Sequence, residues 1–391
     1  MTTVEVLALI DSIARLSRET MLVLTGGEPL LRPDLDRLAH HAADLGLMVV
    51  IGTNGTMLDA GRVDRLIQAG VSGGVGISLD SLDPVRHDAF RGVAGAWSRT
   101  MRGIDACRKA GLCFQIHFSV TDDNAAEFDD MVTFARESGA LALNLFFLVC
   151  TGRGQSFGSI SRQTYDMVLR QTVQAAKSER GVRVRAKCAP HFKRLAMELD
   201  PHWPITMAHG YEAGGCLAGT RYCRITPEGE VTACPYIEVS VGSIRQRDFA
   251  GIWEHAPAFH DLRDPVLGGR CGLCEYRKLC GGCRARPVAS GGGLMDEDPL
   301  CGYQPPGRAV VEPLADTPSL MRWNGEAELR LQHVPFFVRG LVRRRVEEAV
   351  RRAGRDEVTL DDLHAAATDS VGRPPFVRPE GMIHWSNRRT P

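Results

Sequence analysis

Residues 1–187 alternate between short, continuously apolar runs and amphipathic segments with helical spacing, the first of which places Val4, Leu7, Ile10 and Ile13 on one face. The apolar runs predict five strands: MLVLTGG, LMVVIGTNG, GGVGISLDS, CFQIHFSVT and LALNLFFLV. Helices are expected near 33–45, 59–69, 98–110, 125–138 and 161–180. Buried strands that alternate with helices are typical of a parallel sheet covered by helices, with too few strands here for an eight-fold barrel.

Small or polar residues end the predicted strands. They include Gly26 and Gly27, Thr53 and Asn54, Ser78 and Asp80, and Thr121 and Asp122. The carboxyl ends of parallel strands are where α/β enzymes place their chemistry. The pattern therefore predicts a functional site at this edge of the sheet, although each residue is also an ordinary strand-end or turn residue.

The composition and the hydrophobic periodicity of the chain change near residue 188. Residues 188–305 are rich in Cys, Gly and Pro and poor in periodic segments. We therefore expect a second domain that is stabilised through its cysteine thiols rather than by a large hydrophobic core. A Pro-rich linker, 306–318, precedes an Arg-rich helical domain at 319–371. The tail, 372–391, is expected to be disordered.

Composition limits the kinds of function. The chain has 391 residues, 44% of them hydrophobic and 24% charged, and its formal net charge is zero. This balance gives no bulk attraction to nucleic acid, and no run is long enough for a membrane span. We expect a cytoplasmic protein whose twelve cysteines are not paired in disulfides.

Eight of the twelve cysteines lie between Cys216 and Cys301. Four of them form a C-x2-C-x5-C-x2-C run, CGLCEYRKLCGGC, and Gly229 stands five positions before Cys234. Tetrahedral thiolate sites suit zinc or iron–sulfur clusters, and the spacing alone does not separate the two. Zinc ribbons, however, usually separate their cysteine pairs by about 15 to 20 residues.

The motifs TGGEP, GTNGT and SLDS, each at a strand end, resemble the core domain of radical S-adenosylmethionine (SAM) enzymes. The pattern C-x12-G-x4-C, CGLCEYRKLCGGC and a final Cys resembles the auxiliary SPASM domain of one branch of that family. Together the two resemblances cover about residues 1–305. They imply a partial (β/α)6 barrel that lacks its first strand, followed by a Cys-rich auxiliary cluster domain and a small all-α C-terminal domain.

The resemblance also implies cofactors and their ligands. One auxiliary [4Fe–4S] cluster would be held by Cys216, Cys223, Cys234 and Cys283, although the CGGC spacing is one residue shorter than the commoner form. A second would be held by Cys271, Cys274, Cys280 and Cys301. SAM would contact the strand-end set of Gly26, Gly27, Glu28, Pro29, Thr53, Asn54, Ser78 and Asp80.

One family feature does not match. Radical SAM enzymes carry a C-x3-C-x2-C loop ahead of GGEP, but this chain has no cysteine before Cys107. The catalytic cluster would then lack its ligands, and the chain as printed would be inactive. We expect a start codon placed too far downstream rather than a truly truncated protein.

The segment KCAPHF, together with EYRKLCGGCRAR and DEDPLCGYQP, resembles the subgroup that modifies haem precursors, including the enzymes of haem d1 synthesis. Cys188 and His191 would then lie near substrate, although a Cys beside a His is usually incidental.

The C-terminal pattern resembles the small domain of light-independent protochlorophyllide reductase. It consists of Trp323, Ala327, Leu331, Pro335, Phe336, Phe337, Arg339 and Glu347.

These resemblances imply an oxidoreductase or lyase that alters a tetrapyrrole side chain through a 5′-deoxyadenosyl radical. A ferredoxin, a flavodoxin or a reductase would supply the electron. Arginines at 343–345, 351 and 352 would pair with propionates, or would form an ordinary solvated face. The alternatives are a peptide-modifying SPASM enzyme and a non-catalytic carrier or scaffold with two clusters.

Overall fold

A computed structural model describes residues 1–152, 160–203, 215–312, 321–332 and 336–370. The chain divides into two compact units, Met1–Ser319 and Leu320–Pro391. The expected disordered tail and part of the linker lie outside the described residues, as do Pro335 and the side chains of Phe336, Phe337, Arg344 and Arg345.

A six-stranded parallel sheet forms the centre of the first unit, with its strands in sequence order from one edge to the other. The strands are β1 (Met21–Leu24), β2 (Met48–Thr53), β3 (Val75–Ser78), β4 (Phe114–Val120), β5 (Ala142–Phe147) and β6 (Arg183–Lys187). The parallel open sheet confirms the predicted partial barrel. All five predicted strands are present, but the sequence analysis missed β6.

Eight α-helices accompany the sheet in the described residues. They are α1 (Thr3–Leu16), α2 (Leu35–Asp44), α3 (Ala60–Gln68), α4 (Pro84–Arg91), α5 (Ala96–Ala110), α6 (Phe128–Glu137), α7 (Arg162–Ser178) and α8 (His191–Leu199). Side-chain caps fix several starts, because Asp59, Asp83 and Ser161 each accept a bond from the third backbone N–H that follows. Helices α4 and α8 were not predicted.

Strand β4 shows how the sheet presents two different faces. Phe114, Ile116, Phe118 and Val120 alternate as buried side chains in the helix-covered core. The residues between them, Gln115, His117 and Ser119, point the other way. We call this second side of the sheet the inner face. It is polar, so it is the side on which a polar ligand can be held.

The cysteine-rich segment has only short elements. A three-stranded antiparallel sheet contains β7 (Arg224–Ile225), β8 (Glu230–Thr232) and β9 (Ser240–Ser243). Four short helices follow, α9 (Phe249–His255), α10 (Pro257–Arg263), α11 (Gly269–Leu273) and α12 (Ala285–Ala289). Helix α9 lies against α1, where Ser12 Oγ donates to Asp248 Oδ1 at 2.7 Å. The segment is therefore attached directly to the helices of the sheet.

The described residues of the second unit form three helices, α13 (Gly325–Gln332), α14 (Phe336–Arg352) and α15 (Leu360–Ser370). A short parallel pair, β10 (Arg322–Trp323) and β11 (Glu357–Val358), joins its two ends. Its core consists of Ala327, Leu331, Val346, Val350, Val358 and Leu363. Across the described parts of both units, none of the helices combines the length and apolar character needed to cross a bilayer.

Candidate functional site

One carboxylate ties the carboxyl ends of β1 and β2 together. Glu28 Oε1 accepts hydrogen bonds from Thr53 Oγ1 at 2.7 Å and from Leu30 N at 3.1 Å. Its other oxygen, Oε2, accepts from Asn54 N at 2.8 Å. Three of the predicted site residues, Glu28, Thr53 and Asn54, therefore form one cluster at the predicted edge of the sheet.

The two glycines before Glu28 border open space. Both Gly26 and Gly27 are exposed, and a Cβ built on either would meet no atom within 4 Å. Gly26 has φ +149°, a conformation that side chains rarely adopt. A ligand can therefore approach the backbone N–H groups of this loop closely. Pro29, in contrast, is buried.

The carboxylate of Asp80 already bonds to groups from a neighbouring strand and a neighbouring helix. Oδ1 accepts from Ser119 N at 2.9 Å, and Oδ2 lies 2.5 Å from Nη2 of Arg91. Asp80 is 1% exposed, so it holds the end of β3 to β4 from inside the protein. Ser78, half-buried on the same strand, lies opposite His117 in the register. A ligand contact at Asp80 would have to use its backbone or displace Arg91.

The thiols predicted for the second cluster surround a single cavity. Its wall includes all four of them, Cys271, Cys274, Cys280 and Cys301. Among the described residues, no three His, Cys, Asp or Glu side chains converge closely enough to hold a single metal ion. An all-thiol donor set around one cavity suits an iron–sulfur cluster or zinc.

Backbone and cationic groups support this cavity. Tyr276 N donates to Cys274 Sγ at 3.4 Å, and Arg270 Nη1 donates to the Cys301 carbonyl at 2.9 Å. Burial raises the pKa of the Cys280 and Cys301 thiols. Without a metal these thiols are therefore protonated, and cluster assembly must release their protons.

Two successive left-handed residues separate Cys280 from Cys283. Gly281 and Gly282 have φ +64° and +71°, values that only glycine adopts without strain. A Cβ on Gly282 would lie 2.9 Å from Cβ of Asp298. This tight turn allows the two cysteines of one CGGC motif to face different neighbours.

Three thiols of the predicted first set, Cys216, Cys234 and Cys283, interact with one another and with Cys188. Burial raises the pKa of Cys283 to about 11; Arg286 opposes the shift and Cys216 adds to it. Burial likewise raises the pKa of Cys234 to about 12, with contributions from Cys283 and Cys216. The same three thiols act on Cys188, whose pKa is raised mainly by burial.

Cys223 is electrostatically more separate. Burial raises its pKa to about 12, and the charged group that acts on it is Arg263.

Cys188 has φ +56°, and it is the one non-glycine residue in the described chain with a positive φ. Backbone strain of this kind often marks a functional position.

A buried charged network includes the other predicted substrate residue, His191. Its Nδ1 is 2.7 Å from Tyr165 Oη, and its Nε2 is 3.4 Å from Asp298 Oδ2. Asp298 Oδ2 also accepts from Cys283 N at 2.7 Å and from Arg286 Nη1 at 2.5 Å. Burial lowers the pKa of His191 to about 4, so the ring is neutral near pH 7.

This network places His191 against the thiols rather than on the inner face of the sheet. His191, 2% exposed, lines the cavity of the second thiol set. Arg286 donates to the Cys188 carbonyl from the same network. A single buried network therefore connects residues beside both thiol sets, and a substrate contact through His191 would have to break it.

The inner face carries residues that the sequence analysis missed. Val182, which precedes β6, and Val184 within it lie in the apolar core, so Arg183, Arg185 and Lys187 alternate onto the inner face. Burial is the main cause that lowers the pKa of Arg185 to about 10 and that of Lys187 to about 8. The strictly alternating sequence RVRAK was the available signal.

The C-terminal unit uses the residues of its motif in its own packing. Trp323 Nε1 donates to Glu347 Oε1 at 2.8 Å, and Arg343 stacks over the Trp323 ring at 4.6 Å. Arg343 also pairs with Glu328. Arg343 is therefore not a free solvated cation, whereas Arg351 and Arg352 are exposed.

Comparisons with known proteins agree with these features. Residues 1–135 match the radical SAM superfamily, 216–284 an iron–sulfur cluster-binding domain termed SPASM, and 323–366 the proto-chlorophyllide reductase 57 kD subunit. The fold resembles that of Streptococcus suis SuiB bound to S-adenosylmethionine. The TM-score is 0.55 at 18% identity, and the match covers 75% of this chain and 70% of SuiB.

Two curated relatives match over most of their length. The AdoMet-dependent heme synthase of Methanosarcina barkeri is 41% identical over 311 residues, which cover 78% of this chain and 88% of the relative. The pre-heme d1 synthase of Dinoroseobacter shibae is 30% identical over 72% of this chain and 73% of its own. The chain therefore belongs to the radical SAM superfamily, in the branch that carries a SPASM domain. Within that branch it is similar to enzymes named for haem biosynthesis.

Proposed function

We propose that this protein modifies the side chains of a haem precursor in a SAM-dependent radical reaction. The observation that carries the proposal is the strand-end loop, in which open glycine backbone lies beside a cluster built on Glu28. The relatives of similar length supply the substrate class. When bound, SAM and a reduced cluster supply a 5′-deoxyadenosyl radical.

The residues of this chain would position the cofactor. The N–H groups around Gly26 and Gly27 are accessible to the methionine part of SAM. Hydrogen bonds from Thr53 and Asn54 hold the Glu28 side chain in place beside Gly26 and Gly27. There its carboxylate would attract the SAM ammonium. We propose that Ser78 and Asp80 also contact SAM, and that Asp80 does so through its backbone.

The thiols would hold two auxiliary [4Fe–4S] clusters. We propose Cys271, Cys274, Cys280 and Cys301 for the cavity cluster, and Cys216, Cys223, Cys234 and Cys283 for the other. The donor set is all sulfur, which suits such clusters. Electrons would come from a ferredoxin, a flavodoxin or a reductase.

No cysteine precedes Cys107 in the given sequence, so this sequence contains no C-x3-C-x2-C motif ahead of Gly26 and Gly27. We therefore propose that the 391-residue chain alone does not cleave SAM. Incubation with SAM, dithionite and iron coproporphyrin should yield no 5′-deoxyadenosine. A chain extended upstream in the gene to include a C-x3-C-x2-C loop should yield it together with a decarboxylated porphyrin.

Two results would contradict the proposal. If the extended chain produced 5′-deoxyadenosine only with a precursor peptide, it would be a peptide-modifying enzyme. If no upstream codons encoded the loop, and both auxiliary clusters still underwent reversible reduction, the protein would be a two-cluster electron carrier or scaffold.

A further inference from the structure

Strand β6 presents a row of three cations to the inner face. Arg183, Arg185 and Lys187 occupy alternate positions, so their side chains leave the strand about 7 Å apart. In the register, Arg185 is opposite Asn144 and Lys187 is opposite Phe146 of β5. Because β6 is the edge strand of the sheet, the row lies along one side of the inner face.

No anion in the described chain neutralises this row. Arg183, Arg185 and Lys187 have no hydrogen bond or ion pair to a carboxylate in the described residues. The neighbour that acts on the pKa of Arg185 is Arg183, and those that act on the pKa of Lys187 are Arg185 and Cys188. All three side chains are half-buried, and cations that lie side by side without a carboxylate partner repel one another, which indicates that an anionic ligand completes the site.

The neighbouring strands place polar side chains beside this row. Gly52 and Gly76 lie side by side in the register of β2 and β3, and the His117 ring lies over Gly76. Asn144 is 1% exposed. Its Nδ2 donates to Gln115 Oε1 at 2.8 Å, while its Oδ1 has no donor among the described residues. The inner face therefore combines polar side chains with three cations that have no carboxylate partner among the described residues.

We propose that Arg183, Arg185 and Lys187 bind the carboxylates of the substrate and orient its macrocycle on the inner face. This inference rests on the proposed function and identifies the residues that would select a multiply carboxylated tetrapyrrole. Arginine suits this role because its guanidinium pairs with a carboxylate through two parallel hydrogen bonds. The side-chain carboxylates of a tetrapyrrole are spread around its rim, as the cations are spread along the strand.

The test measures coproporphyrin III binding by fluorescence quenching, with the full chain loaded with iron and sulfide. Arg185→Gln and Lys187→Gln should each weaken binding about tenfold to hundredfold. Arg185→Lys should restore part of the loss. Arg170→Gln, which removes the same charge from the exposed side of α7, should bind as the unsubstituted chain does. The methyl ester of coproporphyrin should bind weakly and equally to all variants.

Controls separate this role from two other anions. Iron content and visible spectra should be unchanged in Arg185→Gln and Lys187→Gln; iron loss would assign the cations to a cluster and overturn the inference. SAM, added at a concentration that direct titration shows to saturate the same chain, should leave coproporphyrin binding intact, whereas competition would assign them to the SAM carboxylate. Tight binding that the substitutions do not weaken overturns this inference alone. No binding to the unsubstituted chain overturns it together with the proposed tetrapyrrole substrate.

Discussion

The parallel sheet and the cysteine-rich segment are stabilised in opposite ways. In the sheet, side chains such as Val49, Ile51, Ile77 and Leu145 are fully buried, so hydrophobic burial holds the fold without a ligand. In the segment, strands have two to four residues and helices five to seven. The groups buried there include thiols and the charged Arg286 and Asp298, which need partners to be stable.

Iron removal tests this difference with the largest expected effect. Anaerobic chelation should bring amide exchange in β7–β9, α11 and α12 to within about tenfold of unfolded-chain rates, because thiol–iron bonds would join these short elements to one another. The amides of β2–β5 should keep their protection. If both regions lost protection together, the two would be one cooperative unit and the comparison would fail.

Cys223 is the proposed fourth ligand of the first cluster, and Cys188 is the alternative. With the ligands proposed above, Cys223→Ala should lose roughly four of roughly eight irons, whereas Cys188→Ala should keep all of them. Iron and sulfide analysis of anaerobic material measures both. The reverse result would make Cys188 the ligand, in line with the three thiols that act on it.

The charged network should matter more than any exposed ion pair. Asp298→Asn leaves the buried Arg286 guanidinium without its carboxylate, so it should cost about 3–5 kcal/mol of unfolding free energy. Asp261→Asn, on the exposed face of α10, should change it by less than about 0.5 kcal/mol. Urea unfolding followed by cluster absorbance measures both, and equal effects would refute a special role for the network.

Acid should weaken the sheet through His117. Burial lowers its pKa from 6.5 to about 4, so the unfolded chain binds the proton more tightly. The associated stability is complete above pH 6.5 and falls as pH drops toward 4, by about 2 kcal/mol at pH 5. His117→Gln should flatten this dependence in urea titrations at pH 7 and pH 5. An unchanged slope would show that the ring is already protonated or solvated.

Gly27→Ala should have the smallest effect on stability. Its Cβ would meet no atom and its φ is not positive, so unfolding free energy should change by less than about 0.5 kcal/mol. The added methyl should still weaken SAM binding roughly tenfold in the extended chain, because the loop could no longer approach the ligand. SAM binding equal to that of the unsubstituted extended chain would remove the loop from the cofactor site.

The same contrast explains what the sequence could predict. Strands β1–β5 are continuous apolar runs, and they were predicted from that pattern alone. Strand β6 was missed because its cations face the inner side of the sheet. The two thiol groups were proposed from family resemblance rather than spacing. The contact of His191 with Asp298 joins residues more than a hundred positions apart, and local pattern carries no signal for such a pair.

Metal and sulfide analysis of anaerobically purified chain tests the central claim, that the clustered thiols hold two iron–sulfur clusters. The account predicts roughly eight iron and eight sulfide per chain, with brown colour that bleaches on reduction. Two zinc ions per chain without sulfide would contradict it.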